Sequence, residues 1–283
     1  MTSAPLRIAW LLEPHPTSPD RPWVSEVTAG VLAAVEAGGA RVDAVVAEHG
    51  AWPVTSGAPP LDLAVLKSES APALALAAAW AAGGLDVVNA PAAVALARDK
   101  VVATAVLAAA GVPVPASFTA GDPARLAPLL GAGPLWVKRP DGTKGAGVRR
   151  VTSPDELAAV ERGGVLLAQR EVPSHGLDVK VYGVGDLLWA TERPFPARTE
   201  ADKRGRPAPL APAHAAAARR AALALGLAIF GVDLLVSDGS CAVVDVNAYP
   251  GFKGVEAAPA AIAELVLARA RAARATRGEP SRG

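Results

Sequence analysis

At 283 residues the chain has room for one large domain or two to three compact lobes, and a 51% hydrophobic fraction excludes extensive disorder. Its 28 basic and 27 acidic residues leave a formal net charge of +1, which argues against a nucleic-acid footprint or a membrane-surface protein. One cysteine, Cys241, excludes an internal disulfide framework and a cysteine-based metal site.

The chain opens with "MTSAPLRIAWLLEPHP", whose apolar run stops at Leu12 before Glu13, too short for a secretory signal. The longest Ala-rich stretch carries Arg219 and Arg220, so no segment reads as a membrane span. A cytoplasmic protein is the expectation. "LRIAWLL" (6–12) suits a buried parallel strand, and a helix should follow from near Ser25 to the Gly38-Gly39 stop. "VDAVVAE" and "LDLAVLK" are further strands, then come the helix "APALALAAAWAAGG" and the strand "LDVVN". Strand and helix alternate, which predicts an α/β lobe with a parallel sheet over residues 1–91. Residues 92–111 read as one or two helices, and "VPVPASF" as extended chain, because each Pro disfavours helix at the residue before it.

From "LWVKRP" onward the texture turns to short β-rich segments, "GVRRV", "VLLAQREV", "DVKVYGVG" and "LLWATERPF", so an antiparallel or mixed sheet is expected. "HAAAARRAALALG" is a helix, "GVDLLVS" and "CAVVDVN" form a hairpin across "DGS", and a last helix covers 257–275 before a polar tail, 276–283.

Three places carry chemistry. "PDGTKGAGVRRV" is a Gly-rich turn between strands; it can fold its N–H groups over a polyphosphate, or be an ordinary hairpin. Lys138 ends the strand before it and Lys144 lies inside it, both suited to phosphate or to plain solvation. Asp233 and Asp245 with Asn247 fall on the two arms of one hairpin, and the strand period puts Asp245 and Asn247 on one face. Two carboxylates and an amide are hard oxygen ligands that suit Mg2+ or Mn2+; the alternative is a solvated amphipathic face. Asp178 and Lys180 share a face of one strand, and Arg193 lies on the next. Such cations near a metal and a Gly-rich loop would stabilise a transferred phosphoryl group, unless they form only a surface salt bridge.

In order, R-D-K (98–100), W-V-K, D-G-T-K-G-A-G-V, L-L-A-Q-R-E-V, D-V-K-V-Y-G-V-G-D, G-V-D-L-L-V and D-V-N-A-Y-P-G resemble the ATP-grasp superfamily over nearly the whole chain. The resemblance implies an N-terminal α/β substrate lobe (1–91), a central lobe (92–172) and a C-terminal lobe (173–275), with ATP held between the last two. Lys100 and Lys138 would contact ATP phosphates, and Gly142, Thr143, Lys144, Gly145 and Gly147 would belong to a lid over them. Gln169, Arg170, Glu171 and Val172 would be the hinge that offers backbone groups to adenine. Asp178 joins the nucleotide set, and Asp233, Asp245 and Asn247 would bind Mg2+. Asp245 stands where many ATP-grasp ligases carry Glu, and Arg170 where many relatives carry an acidic residue.

Two branches compete. "RDKVVATAVLAAAGVPVP" and "DGTKGAGV" are most similar to RimK-type peptide ligases, which activate a carboxylate as an acylphosphate for attack by an amine. "LDLAVLKSES", "ERP" and "DVNAYPGFKGV" are closer to the inositol trisphosphate kinases, with Lys67, Lys180 and Arg193 at matching anion-binding positions. Asp141 stands where the kinases have a His, and apart from Arg198, Lys203, Arg204 and Arg206 there is no concentrated basic run, so the carboxylate-amine ligase is preferred. A nucleotide-binding module without catalysis is the third reading. His15, after the first strand, would touch the small-molecule or peptide substrate or sit exposed in its loop; His175 beside the hinge is read the same way. Gly251 and Gly254 would line the substrate. An Ala-rich helix surface would permit a homodimer.

Overall fold

The computed structural model describes residues 4–140, 147–174, 176–195, 199–237 and 240–278. The chain begins with β1 (Leu6–Leu11), a small hairpin of β2 (Pro14–His15) and β3 (Ser18–Pro22), α1 (Glu26–Ala37), β4 (Ala40–Val45) and β5 (Leu63–Leu66). It continues through α2 (Ala71–Ala82), β6 (Val87–Val88), α3 (Pro91–Arg98) and α4 (Lys100–Ala109). The first sheet has the order β4-β1-β5-β6 and is parallel. Its helices start where the sequence supplies caps: Ser25 accepts from Thr28 N at 3.2 Å and Ser70 from Ala73 N at 3.2 Å. The stretch 92–111 divides into two helices because Asp99, with ψ 98, ends one and its carboxylate caps the next through Val101 N and Val102 N. Lys100 thus opens α4.

The second sheet, β7 (Ser117–Ala120), β8 (Leu135–Lys138), β9 (Arg149–Val151) and, beyond α5 (Pro154–Ala158), β10 (Leu166–Arg170), runs in the order β7-β10-β8-β9 and is antiparallel. The third holds β11 (Leu177–Val184), β12 (Leu187–Pro194), α6 (Glu200–Arg204), β13 (Arg206–Ala208), α7 (Pro212–Leu225), β14 (Ile229–Ser237) and β15 (Ser240–Asn247). Its strand order is β13-β12-β11-β14-β15, again antiparallel. The chain's last described element is α8 (Ala258–Gly278). Among the described residues no helix is long and apolar enough to cross a membrane.

Alternate residues of β1 enter different cores, as period two requires. Ile8, Trp10 and Leu12 pack with Val31 and Val35 of α1, with Ile262 and Val266 of α8, and with Tyr182, Val184 and Ile229 of the third sheet. Ala9 and Leu11 pack with Leu76, Trp80, Leu107 and Leu225, and with Val181, Val232 and Leu234 on the third sheet's other face. The first and third sheets therefore share both large cores. The second sheet has a separate one, built on Leu126, Leu135, Val137, Leu157 and Leu166. Apolar side chains thus run continuously from the first sheet to the third.

Candidate active site

The register of the third sheet sets Thr191, Lys180, Asp233 and Asp245 in one row across β12, β11, β14 and β15. The next row is Trp189, Tyr182, Gly231 and Asn247. Asp245 and Asn247 therefore share a face with Asp233 directly opposite, while Val232 and Val246 point into the core behind. Gly231 keeps this row open, since a Cβ there would lie 3.0 Å from Pro250 Cγ and 3.1 Å from Lys180 Cε.

The row is electrically dense. Lys180 Nζ lies 2.8 Å and an Arg193 terminal nitrogen 3.1 Å from Asp233 Oδ1, and Arg193 Nε lies 2.5 Å from Asp178 Oδ1. Asp233 Oδ1 is enclosed and holds both cations as ion pairs. Burial alone would raise the Asp233 carboxyl, but Lys180 and Arg193 outweigh it and hold it below the usual carboxylate range. Burial opposes the charge on Lys180 too, and Asp233 reverses the sign so that its ammonium is held more firmly than usual. Asp178 goes the other way: burial raises its carboxyl in spite of Arg193.

Two lysines from other elements reach β15. Between the pairs Asp233–Asp245 and Leu234–Val243 the register shifts, leaving Val244 as the extra residue of a β-bulge. Its carbonyl accepts from Lys138 Nζ at 2.9 Å, and Lys100 Nζ pairs with Asp245 Oδ1 at 2.7 Å. Burial lowers the Lys138 ammonium, offset in part by Asp245. Four cations from four separate elements thus gather on the β14–β15 hairpin: Lys100, Lys180 and Arg193 pair with its two carboxylates and Lys138 with the Val244 carbonyl. Among the described residues no three His, Cys, Asp or Glu side chains gather closely enough to hold a metal. The candidate donors are two carboxylates and the Asn247 amide on one face of the hairpin, a set of hard oxygen donors whose chemistry fits a divalent cation.

In the stretch expected to be the hinge, the Arg170 guanidinium donates to Gly133 O at 2.8 Å and Leu129 O at 2.6 Å. Gln169 Nε2 donates to Ser117 Oγ at 3.2 Å, and Glu171 is bound bidentately by Arg150 at 2.6 and 2.8 Å. Arg170 N and Glu171 N donate to Ala116 O and Pro134 O. Among the described residues this leaves the Val172 N–H as the hinge donor without a backbone partner. Gly147, with φ 76, turns the chain into β9. Gly142, Thr143, Lys144 and Gly145 lie outside the described residues, as do Asp141, His175 and Arg198.

A second group of charges lies where β1 and β5 end, a grouping the sequence reading did not assemble. Lys67 follows β5, and its ammonium sits 4.9 Å from the centre of the Tyr249 ring. Burial lowers this ammonium, with Glu13 and Glu69 opposing. Glu69 is itself raised by burial, and Asp245 and Glu13 add to the rise against Lys100. No described carboxylate forms a salt bridge with Lys67. Tyr249 packs edge-on to Phe252, which is fully buried at φ 48 and stacks 5.3 Å from Tyr182. A bulky side chain in the left-handed region is strained, so these ring contacts hold the turn after Pro250. Gly251 is exposed, with nothing but Lys253 near it, whereas Gly254 packs against Arg204 O. His15 faces its own hairpin, where Nδ1 meets Thr17 N and Oγ1 at 3.3 and 3.2 Å. The only early signal for Glu13 and Glu69 was their place after strands of a parallel sheet, where such folds put ligand loops.

Residues 97–268, more than half the chain and all of the charged row, match the RimK-like ATP-grasp domain. The chain belongs to the RimK-like ATP-grasp family. Among curated relatives, a probable alpha-L-glutamate ligase of Sodalis glossinidius strain morsitans is 32% identical over 190 residues, 62% of this chain. The match spans only 64% of that relative's length. The ATP-grasp fold recurs in a RimK domain protein from Sphaerobacter thermophilus, with TM-score 0.72, 21% identity, and 92% of this chain and 99% of that one covered. It recurs too in the ATP-grasp ligase PsnB solved with a minimal precursor, Mg and ADP, with TM-score 0.69, 20% identity, and 95% and 99% coverage.

Proposed function

We propose that the chain is an ATP- and Mg2+-dependent carboxylate–amine ligase that works through an acylphosphate. The observation that carries this reading is the pairing of Lys100, Lys180 and Arg193 with Asp245 and Asp233, with Lys138 on the Val244 carbonyl beside Asp245. Lys100 and Lys138 would bind ATP phosphates, leaving Asp245 and the Val244 carbonyl as they do so. Asp233, Asp245 and Asn247 would hold Mg2+, which when bound would supply positive charge against the phosphates. The Val172 N–H would meet the adenine ring.

In the first step a substrate carboxylate oxygen attacks the γ-phosphorus, the bond to the β–γ bridging oxygen breaks, and ADP leaves. Lys180 and Arg193 face the charge that develops on the equatorial oxygens, fixed in place beforehand by Asp233 and Asp178. In the second, the amine attacks the acyl carbon, phosphate departs with the bonding electron pair, and the amine loses a proton. Residues 1–91, 92–172 and 173–275 form the substrate, central and metal-bearing parts of this reading.

Transfer to a hydroxyl of a polyphosphate is the runner-up. The acceptor end of the site disfavours it, since Lys67 is accompanied there by two carboxylates, Glu13 and Glu69, which a polyphosphate would meet. A carboxylate-bearing or amine-bearing substrate needs no greater excess of cations. The test is to incubate the protein with ATP, Mg2+, free amino acids or short peptides, and hydroxylamine. The expected result is a hydroxamate with stoichiometric ADP and phosphate. A phosphorylated product with no hydroxamate and no amide would replace the ligase by the kinase.

A further inference from the structure

Asn89 follows β6 at the edge of the first sheet and is 2% exposed. Its side chain uses its full hydrogen-bonding capacity on the third sheet. Nδ2 donates to Ile229 O at 2.7 Å and to Ala248 O; Oδ1 accepts from Ala228 N at 2.8 Å and Ile229 N at 2.9 Å. Ile229 opens β14, the strand of Asp233, and Ala248 follows Asn247 directly. The last ladder pair of this hairpin is Gly231–Asn247. Beyond it the ladder ends, and the Asn89 amide joins Ile229 to Ala248 as an added rung. All three candidate metal donors lie on that hairpin.

We propose that Asn89 is a positioning residue for the metal site, fixing where the end of β15 presents the Asn247 amide oxygen; the proposal rests on the metal assignment above. Nothing else described holds the Ala248 carbonyl to β14. Without the Asn89 donor two buried carbonyls lose their partner, and the cheapest relief is for the β15 end to move outward. That movement changes the spacing of Asn247 from Asp233 and Asp245 without touching any of them.

The test uses the full-length chain and binding instead of turnover: free Mn2+ is followed by electron paramagnetic resonance in the presence of ATP. Asn89→Asp, near-isosteric but without the donor, and Asn89→Ala should each weaken Mn2+ binding about tenfold or more, the scale of lost partners around metal ligands. Binding of a fluorescent ATP analogue in EDTA should stay at the wild-type level. Leu85→Ala, a core truncation just before the same strand, is the control for general loosening, and should lower the melting temperature without changing Mn2+ affinity. If neither Asn89 substitution folds, Asn89→Ser, too short to span both strands, carries the same expectation. Wild-type Mn2+ affinity in the Asn89 variants, or an equal loss in Leu85→Ala, would overturn the positioning role alone provided Asp245→Ala does weaken Mn2+. Wild-type affinity in Asp245→Ala would remove the metal reading and this proposal with it.

Discussion

Lys180 is held on three sides: Asp233 pairs with its ammonium, the Tyr182 ring lies 5.7 Å away, and Gly231 leaves space for its stem. A buried pair of this kind is a weak source of net stability, because desolvation offsets most of the attraction, yet removing one partner exposes the whole penalty on the other. Lys180→Met should therefore destabilise the protein by about 3 kcal/mol, the low end for a broken buried pair, because Arg193 still contacts the same oxygen. Divalent cation with ATP should recover part of the loss, since it supplies Asp233 with a replacement charge. Chemical denaturation with and without Mn2+ and ATP checks this; an unchanged midpoint in the metal-free protein would contradict it. The residue types in this row were readable in the sequence from their period-two spacing. That each carboxylate already has a cationic partner was not, because Lys100 lies 145 residues from Asp245.

At the scale of elements, the β14–β15 hairpin is shaped by one extra residue. The bulge at Val244 frees a carbonyl for Lys138 and lets Asp245 face Asp233 while Val243 remains in the core. A second element contact, remote from the site, ties α8 to the start of β5. Asp62 accepts from Arg7 N at 2.8 Å, from Arg274 Nε at 3.1 Å and from Arg277 at 2.6 Å. Burial works to raise the Asp62 carboxyl, but these donors prevail and hold it below its ordinary value of 3.8. The folded pKa is depressed, so this contribution is complete above the unfolded value and is lost as pH falls through the folded one. Asp62→Asn should cost about 1.5–3 kcal/mol at neutral pH, the scale of hydrogen bonds to charged groups, and should flatten the acid limb of the stability curve below pH 3.8. Equilibrium unfolding from pH 3 to 7 checks both halves. Parallel acid limbs in the two proteins would show that Asp62 is not the linked group.

For the whole molecule, the division of apolar packing matters more than the number of sheets. The first and third sheets are bound through two common cores, while the second has its own. Lys138, at the end of β8, reaches from the second sheet to the bulge on β15. A nucleotide lying between those sheets would link the two bodies and bind the folded state alone. At a hundredfold excess over its dissociation constant, such a ligand stabilises by about 2.7 kcal/mol. ATP with Mg2+ should accordingly raise the melting temperature by several degrees, and Lys138→Met should remove most of that rise with little change in the unliganded value. Differential scanning fluorimetry decides it, and an equal rise in Lys138→Met would remove Lys138 from the phosphate site.

Local order was determined by the sequence alone. Alternation of "LRIAWLL" and "VSEVTAG" type segments specified strand and helix, Ser25 specified a helix start, and the D-x-N spacing put Asp245 and Asn247 on one face. Each of these is encoded within a few residues, because strand and helix periods are set by backbone geometry. The tertiary structure decided the rest. Register across β12, β11, β14 and β15 follows from which apolar faces fill the shared cores, and no short stretch of sequence contains that information. The same packing brings Lys100, Lys138 and Asn89 to one hairpin from separate elements. The sheet offers each of them a partner only once its strands are paired, because a buried charge or amide is stable only where the complementary group has been delivered by the fold.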